Sequence, residues 1–427
     1  MASSSSNHDL DLSRWCELWC ALIVLGGLTG SACALFLATL DVVTQGRTAH
    51  PGLIGLLPLM GVVVGWLYAR YGREVEAGNN LLIQQIQEPG AGVSPVMAPL
   101  VLVTTLLTHL GGGSAGREGT AVQMGGAIAG GIARFTRRFR PGELRILLLA
   151  GMASGFGGVF GTPVAGALFA LEVVRLGQME TRAIIPCLMT AIISDRTCAA
   201  WGIEHTQYAV ASLLPAGATG GLAPWNGRLI IFAIGGGVAF GLVSRLFVAT
   251  HHACQALFRR ASESPLLRPL LGGVIVLVIT GLLGTRDYLG IGITSPTPGG
   301  VSLTGAFEPG GVSVFSWFWK LLLTAITLGS GLKGGEATPL FFIGATLGHT
   351  LAVQTGCPVD LCASLGFVAV FMAATRTPIT GIVMAVEMFG GEAVLYHALA
   401  CTTACMVNRH HGIYSAQKPC EVIAPPP

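Results

Sequence analysis

Charge is what this sequence has least of. Asp, Glu, Lys and Arg supply 11% of its 427 residues, whereas a soluble domain carries roughly 25%. So few ions cannot cover the surface of water-soluble domains of that length, and a mean hydropathy of +0.68 points to a chain that resides in a bilayer. Several catalytic signals are missing as well. There is no nucleophile elbow and no nucleotide-binding loop, and glycine-rich segments alone are weak evidence for either. The eleven cysteines fall mainly inside apolar runs, with Cys16/Cys20 and Cys401/Cys405 one helical turn apart and no His or carboxylate in register to complete a zinc site. They read as small packing residues. Neither an enzyme nor a cofactor or metal is called for.

What is present is a series of apolar runs, each long enough or nearly long enough to cross the hydrocarbon core: Leu18–Leu40, Gly52–Tyr68, Val96–Leu110, Ile146–Val174, Leu229–Ala249 and Leu267–Leu283, continuing after Trp317 to Val407. The expectation is an all-α polytopic membrane protein with no soluble regulatory domain. Met1–Ser13 lacks Lys and Arg, and the apolar run that follows Arg14 is too long for a signal-peptide core, so the opening reads as an uncleaved cytoplasmic tail. Basic clusters at Arg134, Arg137, Arg138, Arg140 and Arg145, and at Arg259, Arg260 and Arg268, are cytoplasmic candidates by the positive-inside rule. A net charge of +3 on so hydrophobic a chain argues against nucleic acid as a partner. His251-His252 and His410-His411 flank hydrophobic segments and read as interfacial. Sixty-one glycines fit close helix packing and broken helices.

The chain also repeats itself. Gly116-Arg-Glu118-Gly-Thr120 with Gly126-Ala127 matches Gly334-Gly-Glu336-Ala-Thr338 with Gly344-Ala345, and Thr162-Pro163-Val-Ala-Gly166 through Ala170 and Glu172 matches Thr377-Pro378-Ile-Thr-Gly381 through Ala385 and Glu387. The two offsets, 218 and 215 residues, are nearly equal and close to half the chain. This predicts two homologous halves, residues 15–220 and 221–418, meeting near Ala216–Asn226 and flanked by tails at 1–14 and 419–427. Halves of this kind in transporters are commonly inverted, with the substrate site near the midplane where interrupted helices meet.

Glu118 ends a glycine run, Gly111-Gly-Gly-Ser-Ala-Gly-Arg117, and precedes a helical stretch. Helix starts carry unpaired N–H donors and the positive end of the macrodipole. A glutamate there can act as a tethered anion that competes with a free one, and protonation would release it. The alternative is a loop glutamate capping its own helix. Glu336 offers the same chemistry from the other half, with Pro339 suited to a first helical turn, or else pairs structurally with Lys333. Gly78-Asn79-Asn80 again places polar groups before a helical run, where either Asn could be an N-cap. Glu172 and Glu387 recur at matching helix ends, which favours a scaffold role.

These residues together resemble the chloride-channel (CLC) family. Gly116-Arg117-Glu118-Gly119 is similar to its gating-glutamate motif, usually Gly-Lys/Arg-Glu-Gly-Pro, with Thr120 in place of the proline. The likeness extends through Gly125-Gly126, Thr162-Pro163, Arg376-Thr-Pro378 and Tyr414. It implies a homodimer with one pathway per subunit, Glu118 as gating glutamate and Tyr414 as the central tyrosine. Anion contacts would fall at Asn79, Gly116, Arg117, Gly119, Glu336, Ala337, Thr338 and Tyr414. Three departures resemble the fluoride-exporting subclass: Asn79 where chloride-type members place a serine, Glu336 with Thr338 in the Gly-x-Phe-x-Pro segment, and Val173 where exchangers place an internal proton-transfer glutamate.

An Asn amide and a Thr hydroxyl add donors for a small, strongly hydrated anion, although chloride can use the same groups. The resemblance therefore implies a multi-pass inner-membrane antiporter, termini cytoplasmic, that exports fluoride in exchange for protons, with Glu336 relaying protons and Thr338 supporting Glu336 or the ion. A chloride or nitrate exchanger and a passive anion channel are the alternatives.

Overall fold

In a computed structural model, the apolar runs fold into helices packed chiefly through glycine and alanine. Residues 4–88, 90, 92–136, 139–212, 225–409 and 412–418 are described, with side chains from residue 14. Most of the expected half-chain junction, Arg137, Arg138, His410, His411 and residues 419–427 lie outside the described residues.

The first half comprises α1 (Ser4–Ala49), α2 (Leu57–Tyr71), α3 (Asn79–Gln87), α4 (Met97–Leu110), α5 (Glu118–Thr136), α6 (Pro141–Phe160), α7 (Pro163–Glu172) and α8 (Ile184–Ala200). The second comprises α9 (Gly227–Ala261), α10 (Leu267–Leu283), α11 (Ser316–Gly329), α12 (Ala337–Thr355), α13 (Val359–Thr375), α14 (Pro378–Phe389) and α15 (Val394–Val407). Five helical segments among the described residues are long and apolar enough to cross a membrane, and α1 runs through the polar opening from Ser4. The stretch Ile146–Val174 is not one crossing element as its apolarity suggests. Gly161, at φ +73°, closes α6 in the left-handed region, and Pro163 opens α7 two residues later. The other half breaks identically: Arg376, at φ +61°, closes α13 and Pro378 opens α14. Arg376 is the one non-glycine residue with positive φ among those described.

Helix directions establish the inversion. The middle of α5 crosses α6 antiparallel, where a Cβ on Gly125 would stand 2.0 Å from the Gly151 carbonyl and one on Gly155 2.2 Å from that of Ala121. The second half repeats the crossing with Gly344 of α12 against Gly366 of α13, again at 2.0 Å. Only glycine permits backbones this close. From Glu118, α5 descends to the face bearing Arg134, Arg140 and Arg145. α12 runs the other way, ending at Thr355, whose carbonyl accepts from Arg228 at the start of α9. Since α9 ends at Arg259 and Arg260, its start marks the opposite face. Two inverted halves thus meet at the starts of α5 and α12.

Arginines concentrate on one face. Gly65 of α2 packs on the Pro265 carbonyl just before α10, placing Arg70 and Arg73 beside Arg268, and the Val93 carbonyl before α4 contacts Gly130 near the end of α5. α1 starts at this basic face, where Glu17 to Leu28 lie by Ile128 and Phe135. It ends at the other face, where Arg47 donates to the His109 carbonyl at 2.8 Å. α8 runs parallel to it, with Gly26 against Ile193 and Gly30 against the Ser194 carbonyl. Of the adjacent histidines in α9, His251 is buried against Phe247 rather than interfacial, while His252 is on the surface.

Candidate functional site

The two half-chain starts are joined directly. Gly116 N donates to the Gly335 carbonyl at 2.6 Å and Gly335 N to the Gly116 carbonyl at 2.8 Å, a two-residue antiparallel bridge within the bundle. A Cβ on Gly335 would stand 2.7 Å from Gly119 N, so the contact depends on the absent side chain. The bridge sets α5 and α12 with their N–H-rich starts side by side.

Glu118, 1% exposed, places its carboxylate between the starts of the two halves' helices. Oε2 accepts from Thr338 N at 3.1 Å and from Arg117 N at 3.1 Å, and Oε1 accepts from the Thr338 hydroxyl. The Arg117 guanidinium lies 3.9 Å from Oε1. Glu118 thus bonds the N–H just before its own helix as well as capping the start of α12. Thr338 departs from expectation, since its hydroxyl serves Glu118 and not Glu336. Glu336 is the N-cap residue of α12, and its Oε2 is 3.5 Å from where a Cβ on Gly119 would be. Each half thus directs a carboxylate toward the other's helix start. Lys333 lies 4.0 Å over the Tyr68 ring and donates to the Glu76 carbonyl at 3.4 Å, instead of forming an ion pair with Glu336.

Asn79 comes to the same place from α3. Gly78, at φ +57°, occupies the N-cap, so neither Asn caps the helix. Asn79 Nδ2 approaches Gly119, and its buried Oδ1 has no hydrogen-bond partner. Asn80 instead accepts from Ala416 N at 3.0 Å and thereby holds the segment after α15. Gln417 Nε2 donates to the Thr375 carbonyl at 3.1 Å and Ile413 N to the Ala374 carbonyl at 2.9 Å. These anchors bring the half-buried Tyr414 phenol to the Asn79 side chain, within electrostatic reach of Glu118 and Glu336. The structure therefore gathers Asn79, Gly116, Arg117, Glu118, Gly119, Glu336, Ala337, Thr338 and Tyr414 in one locus.

Further side chains surround this locus. Gln123 lies under Gly78, its amide nitrogen 3.1 Å from where a Cβ would be, and the Thr105 and Thr120 hydroxyls meet at 2.8 Å. His109 Nε2 is 3.3 Å from the Gly116 carbonyl. Thr120 and Gln123, three apart in α5, share a helix face that does not include Glu118. Beyond them is an aromatic wall: Phe341 stacks on Phe367 at 4.1 Å, and Tyr208, Phe307 and Phe389 surround Phe367.

Glu172 and Glu387 form a separate exchange. Glu172, at the end of α7, accepts from Ile379 N and Thr380 N at the start of α14, and from the Thr380 hydroxyl at 2.7 Å. Glu387, near the end of α14, accepts from Val164 N at 2.9 Å and Ala165 N at 2.8 Å at the start of α7. Each carboxylate caps the other half's helix, satisfying otherwise unpaired N–H groups. Their matching sequence positions thus reflect a scaffold contact. Val173, next to Glu172, is a buried aliphatic residue that closes α7.

The family model described as voltage gated chloride channel matches residues 60–409. The chain is 42% identical over 416 residues to a protein of Pseudomonas syringae pv. tomato named chloride/fluoride channel protein, a match covering 96% of this chain and 88% of the relative. It is 27% identical over 384 residues to the H(+)/Cl(-) exchange transporter ClcA of Yersinia pestis, covering 84% and 75% of the two chains. Its fold superimposes on the crystal structure of a CLC-type fluoride/proton antiporter with a TM-score of 0.87 and 32% identity, covering 95% of this chain and 98% of that one. A slow cyanobacterial Cl-/H+ antiporter shares the fold at a TM-score of 0.75 and 21% identity. With the gating-type glutamate, the inverted halves and these similarities in place, the chain is a multi-pass membrane transport protein of the voltage gated chloride channel, or CLC, family.

Proposed function

We propose that this chain is an active fluoride/proton antiporter that exports fluoride from the cytoplasm in exchange for protons. The reading rests above all on the Glu118 carboxylate, which occupies the N–H and O–H donors at the start of α12 as a tethered anion. A free anion needs those same donors. Protonating Glu118 removes its charge and weakens its hold, so the site can pass from a carboxylate to fluoride as a proton is taken up. Asn79 Nδ2, the Tyr414 hydroxyl and the backbone starts of α5 and α12 then offer a small, hard anion replacements for its water.

Glu336 is the proposed relay toward the basic face. Val173 supplies no carboxylate, and Glu172 is committed to three hydrogen bonds from α14. Among the described residues, Glu336 is then the carboxylate beside the Glu118 locus, half-buried and next to Gly119. By the positive-inside rule, the face bearing Arg70, Arg73, Arg134, Arg140, Arg259, Arg260 and Arg268 is cytoplasmic. That assigns the start of α1 and the residue 418 end to the cytoplasm of a cell whose inner, or plasma, membrane holds the protein. Exposed apolar side chains on α7, α8, α14 and α15, among them Ile185, Ile192, Ile379 and Met406, suit a homodimer interface with one pathway in each subunit.

The decisive experiment is fluoride-electrode flux from proteoliposomes with a simultaneous proton readout. Uphill fluoride movement driven by an imposed pH gradient is the expected result. A passive channel cannot produce it, and chloride transport indifferent to fluoride would overturn the assigned anion.

A further inference from the structure

Exchange requires Glu118 to trade its proton with the face opposite the basic one, yet aromatic rings screen it there. Tyr208 packs on Phe307, Phe367 and Phe389, and Phe160 on Phe341. A proton cannot move through packed rings and needs a chain of polar groups or water. Among the described residues, a polar seam lies between the α6–α7 turn and the segment following α8.

His205 is set into that seam. A Cβ on Gly161 would stand 2.5 Å from His205 Cδ2, so the left-handed glycine that breaks the helix also makes room for the imidazole. Asp195 of α8 faces the ring, with Oδ1 3.8 Å from Nε2, and the Val159 carbonyl lies alongside. The Asp195 contact is longer than a hydrogen bond, and neither buried ring nitrogen has a partner in good hydrogen-bond geometry. The same holds for the hydroxyl of Thr162, which is 2% exposed, and for Arg117 Nε. Buried polar atoms left unsatisfied are costly, so this cluster is a place for bridging water. Arg117 acts electrostatically on His205 from one side and contacts Glu118 on the other, and Tyr208 feels both Arg117 and Glu118.

We propose that His205, held by Asp195, is the proton-loading residue on the face opposite the arginine-rich one, passing protons through water to Glu118. This rests on the assignment of Glu118 as the proton-coupled gate. In the transfer, the imidazolium gives its proton to a bridging water as that water gives one to the Glu118 carboxylate. The products are neutral imidazole and neutral carboxyl, and the imidazole recovers a proton from the aqueous phase. The charges facing the pair come from every packed element. Arg117 and Asp195 face His205, while Arg196 at 3.5 Å, Cys198 and Glu387 surround Asp195. Burial first, and Arg117 second, push the His205 imidazole below its ordinary value, and Asp195 opposes them.

The test is fluoride/proton exchange by proteoliposomes over a range of pH for wild type, His205→Gln and Asp195→Asn, with thermal unfolding recorded for each. In His205→Gln, exchange near pH 7.5 is expected to fall about tenfold while the fluoride-to-proton ratio is kept. Near pH 5, where abundant protons bypass the carrier, the rate should recover, and added 4-methylimidazole should restore His205→Ala at neutral pH. Asp195→Asn should give a smaller loss of the same pH shape. A pH-independent loss without imidazole rescue, or no loss in a folded variant, overturns the relay. Failure of the underlying assignment would look different, as wild-type protein moving fluoride without protons.

Discussion

The Glu118 carboxylate accepts both the backbone N–H and the hydroxyl of Thr338, a residue 220 positions away in the other half of the chain. That pair of bonds places one half's ionisable group on the other half's helix dipole. The Glu118 contact is therefore a property of the seam between the halves and of neither half alone.

Replacing Glu118 with Gln leaves a neutral side chain of the same shape. Proton uptake accompanying fluoride efflux should drop to background, with thermal stability close to that of wild type. A pH electrode and a fluoride electrode in one liposome assay read both quantities. Retained coupling would remove Glu118 from this role.

Thr338→Val keeps the shape and the backbone N–H but deletes the hydroxyl. A hydrogen bond to a charged group contributes about 1.5–3 kcal/mol, so the tethered carboxylate should yield more readily to free anion. The apparent fluoride affinity is expected to rise, by about tenfold for the lower end of that range. Isothermal titration of detergent-solubilised protein measures it. An unchanged or weaker affinity would mean that the Thr338 hydroxyl serves the free ion at least as well as it serves Glu118.

Glu172→Ala and Glu387→Ala each strip a carboxylate cap from a helix start in the other half. Each should lower stability by about 1–2 kcal/mol, read as a lower melting temperature. Transport per folded molecule should persist in both. Loss of coupling in Glu172→Ala at unchanged stability would show that Glu172 handles protons.

Gly344→Ala brings a methyl group to 2.0 Å from the Gly366 carbonyl. The resulting overpacking should cost about 1–3 kcal/mol and reduce the yield of folded protein. Gly27→Ala on α1, where nothing lies within 4 Å, is the matched control and should be neutral or slightly stabilising. Size-exclusion profiles and melting curves compare the two.

Much of this arrangement is legible in the sequence because the repeat is strict at the residues that touch. Glu118 and Glu336, Gly126 and Gly344, and Thr162-Pro163 and Thr377-Pro378 are paired by their offsets. Hydropathy does not reveal where a helix breaks, since Gly161-Thr162-Pro163 interrupts an otherwise continuous apolar run. Nor does it reveal side-chain direction. Thr338 sits two positions from Glu336, yet its hydroxyl turns to Glu118, a choice made by the Gly116–Gly335 bridge. His205 belongs to no motif at all. Its role depends on packing against Gly161, a contact that local sequence does not encode.

The exchanged caps between α7 and α14 also bear on how the molecule is made. When the first half leaves the ribosome, Val164 N and Ala165 N have no carboxylate, because Glu387 is more than two hundred residues from being synthesised. In hydrocarbon an unpaired amide is costly, so α7 must wait beside water, lipid headgroups or the insertion machinery until α14 arrives. The last third of translation therefore completes the first half, and a ribosome stalled before residue 387 would leave a membrane protein with an open helix end. Such an intermediate is a natural substrate for quality-control proteases.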